Sequence, residues 1–306
     1  MTHDHLELAE QYQKELVAEG LLVQTGVMGV YGRSGVFEEA LEAFDQFVRK
    51  QGQALHPEVM RFSPVIGRAN YLKTTHIESF PNLIGSVHSF YGKEKDHLEM
   101  LRKIQDLEEW TDDLDPTDLM LTPAICYPLY PTVRDTVLNE NGRTFDLMGF
   151  AFRHEPSVDP ARMQTFRMHE FVRMGTPEQA LGHRDFWLKK AEEIYQTLGI
   201  NAKPALANDP FFGRGGRAMV VSQREQELKY ELVVPITSEE KPTAIASSNY
   251  HLDHFSQPFN IRLANGEVAH TACFGFGLER TTLAMFKKFG FDVKAWPSET
   301  KSVLGL

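Results

Sequence analysis

Charged and aromatic residues crowd into one short stretch, Phe152 to Phe171. It begins Phe152-Arg153-His154-Glu155, passes Pro156, Pro160 and Arg162, and closes Thr165-Phe166-Arg167-Met168-His169-Glu170-Phe171. Arginine presents a planar fork of donors that matches phosphate oxygens two at a time. Glutamate accepts hydrogen bonds, including those of an adenine amino group. An aromatic side chain beside them can stack on a base. Together these residue types suit a nucleotide. Alone, an Arg-x-Glu pair describes an exposed ion pair of small energetic worth equally well. A second arginine site changes the weighing. Gly275-Phe276-Gly277-Leu278-Glu279-Arg280 puts Arg280 in the first turn of a helix, where phosphate is favoured, behind two glycines that permit a tight turn.

Positioning such groups requires rigid elements. Phe145 to Arg153 and Thr165 to Met174 interleave aromatic and apolar residues with polar ones, which predicts two antiparallel strands joined by a turn-rich loop. Arg153 and Glu155, two apart, then share a face. The same alternation sets Glu170 and Phe171 on opposite faces unless the strand bulges. Helical spacing covers Leu6 to Glu19, Val36 to Gln53, Glu94 to Glu109, a segment from the Thr176 N-cap to Gly199, and a last helix through Phe289. Further strands are expected at Glu58 to Ile66 (with Pro64), Leu119 to Cys126, Leu228 to Ile236, Ile245 to Tyr250, Phe259 to Leu263 and Glu267 to Phe274, with an acidic loop from Trp110 to Asp118. The expected fold is α+β, one antiparallel sheet flanked by helices over residues 1–306.

The totals narrow the class. The chain has 306 residues, 42% apolar and 24% charged, as in soluble globular proteins. No apolar run reaches membrane-spanning length and the N-terminus lacks a signal-peptide pattern, so a cytoplasmic location is the default. A net charge of -10 gives no support for nucleic-acid binding. The two cysteines, Cys126 and Cys273, imply no disulfide framework; from spacing alone they read as small buried residues. His251 and His254 read as turn and surface residues.

Phe152-Arg153-x-Glu155, the loop arginine, Arg167-x-His169-x-Phe171, Ser248-Asn249 and Gly275 to Arg280 together resemble motifs two and three of class II aminoacyl-tRNA synthetases, in the order of the seryl branch. The helix Val36 to Gln53 leading to Pro64 resembles motif one, the dimer-forming element, which implies a homodimer. The resemblance implies that Arg153 holds the α-phosphate of ATP and that Glu155 reads the adenine amino group. Arg162 would reach the distal phosphates. Phe171 would stack on adenine, and Arg280 would cover its other face and the γ-phosphate. Glu231 resembles the glutamate on the ATP or Mg2+ side, and Ser248 and Asn249 would line the amino-acid pocket.

Two departures refine this. Fewer than forty residues precede the first motif, leaving no room for a tRNA-gripping helical arm. Gly175 stands where a seryl enzyme has the glutamate that holds the substrate amine. Cys126, Glu170 and Cys273 resemble instead the zinc triad of atypical archaeal seryl enzymes, whose open fourth position would take the amine. This combination resembles the amino acid:[carrier protein] ligases. It implies ATP-dependent activation of a small amino acid, such as glycine or alanine, and transfer to the phosphopantetheine thiol of a carrier protein rather than to tRNA. A basic insertion near residues 210–227, with Arg214 and Arg217, is the expected carrier-docking element. The alternatives are a compact seryl-type tRNA ligase and an inactive paralogue acting as a binding subunit.

Overall fold

The computed structural model describes residues 3–209, 211–212, 220–221, 223 and 226–306. Helix α1 spans His3–Ala18 and α2 spans Gly35–Gly52, capped by Ser34, whose Oγ accepts from the Phe37 amide. Helix α3 spans Glu94–Gln105. Helix α4, Pro177–Thr197, starts from a capping box in which Thr176 and Gln179 satisfy each other's backbone amides. Helix α5 spans Leu278–Phe289. In the main sheet, strand β1 is Glu58–Met60, β2 Arg143–Phe152, β3 Thr165–Gly175, β4 Lys203–Leu206, β5 Lys229–Val234, β6 Thr243–Leu252 and β7 His270–Gly277. Their order is β4-β5-β6-β7-β3-β2-β1. Every pairing is antiparallel except β1 with β2.

Helices α2, α4 and α5 cover one face. Their apolar stripes meet the inward side chains of β3 and β7 in the larger core, around Phe44, Phe171, Trp187, Tyr195, Phe274 and Phe276. A smaller apolar cluster, including Tyr130, Phe145, Phe255 and Phe259, lies at one end of the other face. The remainder of that face is open. Among the described residues no helix is long and apolar enough to cross a membrane.

Several expected boundaries shift for identifiable reasons. The Glu58 to Ile66 strand divides at Pro64, which has no amide to donate. Glu58–Met60 joins the main sheet and Val65–Gly67 pairs with Asp115–Leu121 in a separate one. The acid run Asp115 to Asp118 is therefore strand rather than loop. That strand ends at Leu121, before Pro123, and Cys126 sits in the turn beyond. Of Phe259 to Leu263 only Arg262–Leu263 is strand. Gly275 and Gly277 belong to β7 and not to a tight turn. A side chain at Gly275 would press on Glu170, whose Cγ lies 3.4 Å from the Cβ position, and one at Gly277 would lie 3.3 Å from the Ile245 carbonyl. Close approach is their function. Most of the expected docking element, including Arg214 and Arg217, lies outside the described residues.

Candidate active site

The open face forms the floor of a cavity of about 1030 Å³. Strands β2 and β3 and the loop between them supply Arg153, Glu155, Arg162, Phe166, Met168 and Glu170. Strands β5, β6 and β7 supply Lys229, Glu231, Ser247, Asn249, Cys273 and Gly275, and α5 adds Arg280.

Arg153 follows the last residue of β2. Its Nε donates to the Pro123 carbonyl at 3.0 Å and its guanidinium lies 5.4 Å from the centre of the Phe166 ring. Arg280 donates through Nε to the Ala161 carbonyl at 2.7 Å and through Nη1 to that of Ala244 at 3.0 Å. Among the described residues neither arginine has a carboxylate within ion-pair distance. Burial, then the like charges of Arg162 and Arg153, hold the Arg280 pKa below its ordinary value. An anion placed among these arginines relieves that repulsion. Glu155 and Arg162 pair at 3.2 Å with both side chains partly exposed, a contact weak enough for a ligand to open. Lys229 bridges Asp209 and Glu231, the latter at 3.2 Å, and supports the far rim.

Deeper in the cavity, one ligand atom each of Cys126, Glu170 and Cys273 lie within 4.8 Å of one another, and all three residues are buried. Glu170 Oε2 is buried with no hydrogen-bond partner among the described residues. Burial, reinforced by Cys273, pushes the Glu170 pKa up to about 8. The neighbouring Cys273 sulfur, then burial, pushes the Cys126 thiol up; the neighbouring Cys126 pushes the Cys273 sulfur down. A bare carboxylate there is costly. Two sulfurs and a carboxylate form a donor set that zinc accepts, with a fourth position left over, so the residues fit a metal.

Two expected ligands face the wrong way. Phe171 is fully buried on the helix side, where its ring stacks on Trp187 at 4.1 Å and 11°. Register is unbroken from Arg143↔Met174 to Phe152↔Thr165 and from His270↔Gly175 to Gly277↔Met168, so no bulge brings Phe171 beside Glu170. Phe166 is the aromatic that the cavity receives from this strand. Ser248 is likewise fully buried, donating to the Arg184 carbonyl of α4 at 2.9 Å; Ser247 and Asn249 face the cavity instead. Arg153, Glu155, Arg162, Glu170, Glu231, Asn249, Cys126, Cys273 and Arg280 all line it. At Gly175 an added Cβ would lie 2.1 Å from Gln179 Oε1, so a side chain there would displace Gln179 from the capping box.

The two histidines read as surface residues also line the cavity. His251 Nε2 lies 3.4 Å from Cys273 Sγ, and His254 Nε2 lies 3.2 Å from the Thr74 carbonyl. His76, Lys229 and Asp209 are further lining residues that the motifs did not point to. Burial, with Arg153 nearby, lowers the His76 pKa to about 4, so its imidazole is neutral.

Residues 109–289 match the class II core domain of the tRNA synthetases for G, H, P, S and T. Over 291 residues the chain is 40% identical to amino acid--[acyl-carrier-protein] ligase 1 of Bradyrhizobium diazoefficiens, covering 95% of this chain and 89% of that one. Ligase 2 of the same organism is 42% identical, with 95% and 87% covered. The type-2 serine--tRNA ligase of Methanopyrus kandleri is 28% identical over 58% of this chain and 36% of its own length. Among solved structures, M. kandleri SerRS in complex with A. aeolicus tRNASec superposes with a TM-score of 0.82 at 22% identity, covering 96% of this chain and 60% of that one. That likeness carries the fold. Seryl-tRNA synthetase from Pyrococcus horikoshii complexed with ATP gives 0.69 at 16% identity, over 99% and 62% of the two chains. With near full-length similarity to two carrier-protein ligases and a matching synthetase core, the chain belongs to the amino acid–[acyl-carrier-protein] ligases built on the class II tRNA synthetase fold.

Proposed function

We propose that this chain activates a small amino acid with ATP and passes it to the phosphopantetheine thiol of a carrier protein. The observation that carries this reading is the sharing of one cavity by two arginines free of carboxylate partners among the described residues, Arg153 and Arg280, and the buried Cys126–Glu170–Cys273 cluster. One end suits a polyphosphate, the other an amine.

In the first step a substrate carboxylate oxygen bonds to the α-phosphorus of ATP. The bond to the bridging oxygen breaks and pyrophosphate leaves with the electron pair. Arg153 holds the α-phosphate and the attacking carboxylate together, Arg162 turns from Glu155 to the distal phosphates, and Arg280 takes the γ-phosphate. Glu155 then reads the adenine amino group, with Phe166 in the stacking position. Glu231 faces the nucleotide or its Mg2+. Charge neutralisation and positioning supply the rate. Cys126, Glu170 and Cys273 would hold Zn2+, which when bound offers a Lewis-acid site for the neutral α-amino group and so selects amino acids over plain carboxylic acids. In the second step the carrier thiol loses its proton, its sulfur bonds to the carbonyl carbon, the carbon–oxygen bond to phosphate breaks and AMP leaves. Glycine and alanine are the first substrates to offer. We read residues 1–306 as one catalytic unit that pairs through α2, with the 210–227 segment as the docking element.

Similarity along nearly the whole of two carrier-protein ligases, and the net charge of -10, support a protein acceptor over tRNA. The test is transfer of labelled glycine or alanine, with ATP, to a phosphopantetheinylated carrier protein or to bulk tRNA. A hydroxylamine-labile label on the carrier alone is expected. Label on tRNA and none on the carrier would reverse the assignment.

A further inference from the structure

The three members of the sulfur–carboxylate cluster are held unequally. Among the described residues, Cys126 Sγ meets no side-chain nitrogen from outside the cluster, whereas Cys273 Sγ meets two. Asn249 Nδ2 lies at 3.5 Å and His251 Nε2 at 3.4 Å. The His251 ring is itself fixed. Its Nδ1 lies 3.0 Å from Oγ1 of the fully buried Thr271, and Phe255 packs edge-on at 5.0 Å and 87°. When the Thr271 hydroxyl donates to Nδ1, the imidazole proton sits on Nε2 and donates to the sulfur.

Local backbone explains the aim. The β6–β7 register shifts between Tyr250 and Leu252, so that Tyr250 faces Ala272 and Leu252 faces Thr271, with His251 as the extra residue. Leu252 adopts a φ of 54°, in the left-handed region. A bulge of this kind redirects a side chain that a regular strand would carry elsewhere. No catalytic step described above uses His251.

We infer that His251 is a positioning residue that, oriented by Thr271, donates a hydrogen bond to Cys273 Sγ and aims that sulfur as a ligand of the cluster. This rests on the reading of the cluster as a zinc site. A donor to a ligand atom fixes its direction.

The test is zinc affinity of the intact protein, measured by competition with a chromophoric chelator, with far-UV circular dichroism confirming the fold of each variant. Wild type should bind one zinc per chain and C273S should lose it. H251F removes the donor and keeps an aromatic ring; zinc affinity should fall roughly 10- to 100-fold. H251Q, whose amide nitrogen can replace Nε2, should stay near wild type. T271V keeps the imidazole and removes its hydroxyl partner, and should also weaken binding. If wild type holds no zinc, the metal reading falls and this inference with it. If wild type binds and H251F binds as tightly, only this inference falls. Equal weakening in H251F and H251Q would assign the loss to ring packing and overturn the donor role; unchanged affinity in T271V would overturn the fixed orientation.

Discussion

The two faces of the central sheet carry similar side chains in opposite states. On the helix face, Arg167 is saturated: Nε meets Glu279 at 2.8 Å and the other two nitrogens meet Glu38. His169 Nδ1 pairs with Asp45 at 2.7 Å, while Nε2 lies 3.4 Å from Asp146 without a hydrogen-bond partner among the described residues; these carboxylates outweigh burial and raise its pKa. Phe171 is sandwiched into the core beside Trp187. On the cavity face, among the described residues, Arg153 and Arg280 donate only to carbonyls, Glu170 keeps an oxygen unpaired, and Phe166 is partly open. Charged residues whose partners are complete build structure. Those left incomplete have binding capacity to spend on a ligand.

The sharpest contrast comes from the two arginines of β2 and β3. Arg153→Ala should lower amino-acid-dependent pyrophosphate exchange by roughly 10²–10³-fold, as for loss of a transition-state charge partner, with little change in melting temperature. Arg167→Ala should instead cost about 3–5 kcal/mol of stability in denaturant unfolding, because it removes the close guanidinium partner of buried Glu279 and leaves only Arg33, at 3.8 Å, as its cation. If the two variants exchange these phenotypes, the division of the faces is wrong.

The phenylalanines offer a second test. Phe171→Ala should destabilise by about 3–5 kcal/mol through the cavity it leaves. Phe166→Ala should leave stability near wild type and raise KM for ATP by about tenfold, within the worth of a base stacked on an aromatic ring. A large rise in KM for Phe171→Ala without lost stability would restore the original motif assignment.

A smaller effect appears with pH. Burial lowers the pKa of His183, on α4, to about 4, and its Nε2 donates to the Phe171 carbonyl at 3.0 Å. The folded state keeps this imidazole neutral while the unfolded chain protonates near pH 6.5. Its stability contribution is complete above pH 6.5 and is lost as pH falls from about 6.5 to about 4, with a total of about 3 kcal/mol. His76 adds a slope of the same sign. Denaturant melts at pH 7, 5.5 and 4.5 should therefore be shallower in pH for His183→Gln than for wild type; parallel curves would contradict the assignment. Smallest of all, alanine at Arg214 and Arg217 together should slow transfer to the carrier by about tenfold, as for loss of steering charge, while leaving exchange intact. Unchanged transfer would remove the docking role.

The hairpin was legible because its alternation and turn residues agree, and so was the cavity-side placement of Arg153, Glu155 and Glu170. Helices α2 and α4 were readable from their spacing and caps. The faces of Phe171 and Ser248 were misread because motif resemblance transfers residue types, whereas strand parity decides direction. The conflict between Glu170 and Phe171 was already visible in that parity, and the unbroken register resolves it in favour of Glu170. His251 was not legible, since its direction depends on a register shift that pairing between distant strands creates. Cys126 reaches the cluster from a turn set by Pro123, and Lys229 reaches Asp209 across 20 residues; neither distance has a local signal.

The central claim is that the open arginines and the sulfur–carboxylate cluster form one adenylating site. Its most direct test is exchange of labelled pyrophosphate into ATP across the twenty amino acids, with zinc-loaded and with chelator-treated protein. The account predicts exchange with a small amino acid, glycine or alanine first, lost on chelation and restored by zinc. Absence of exchange with every amino acid in zinc-loaded protein would contradict it.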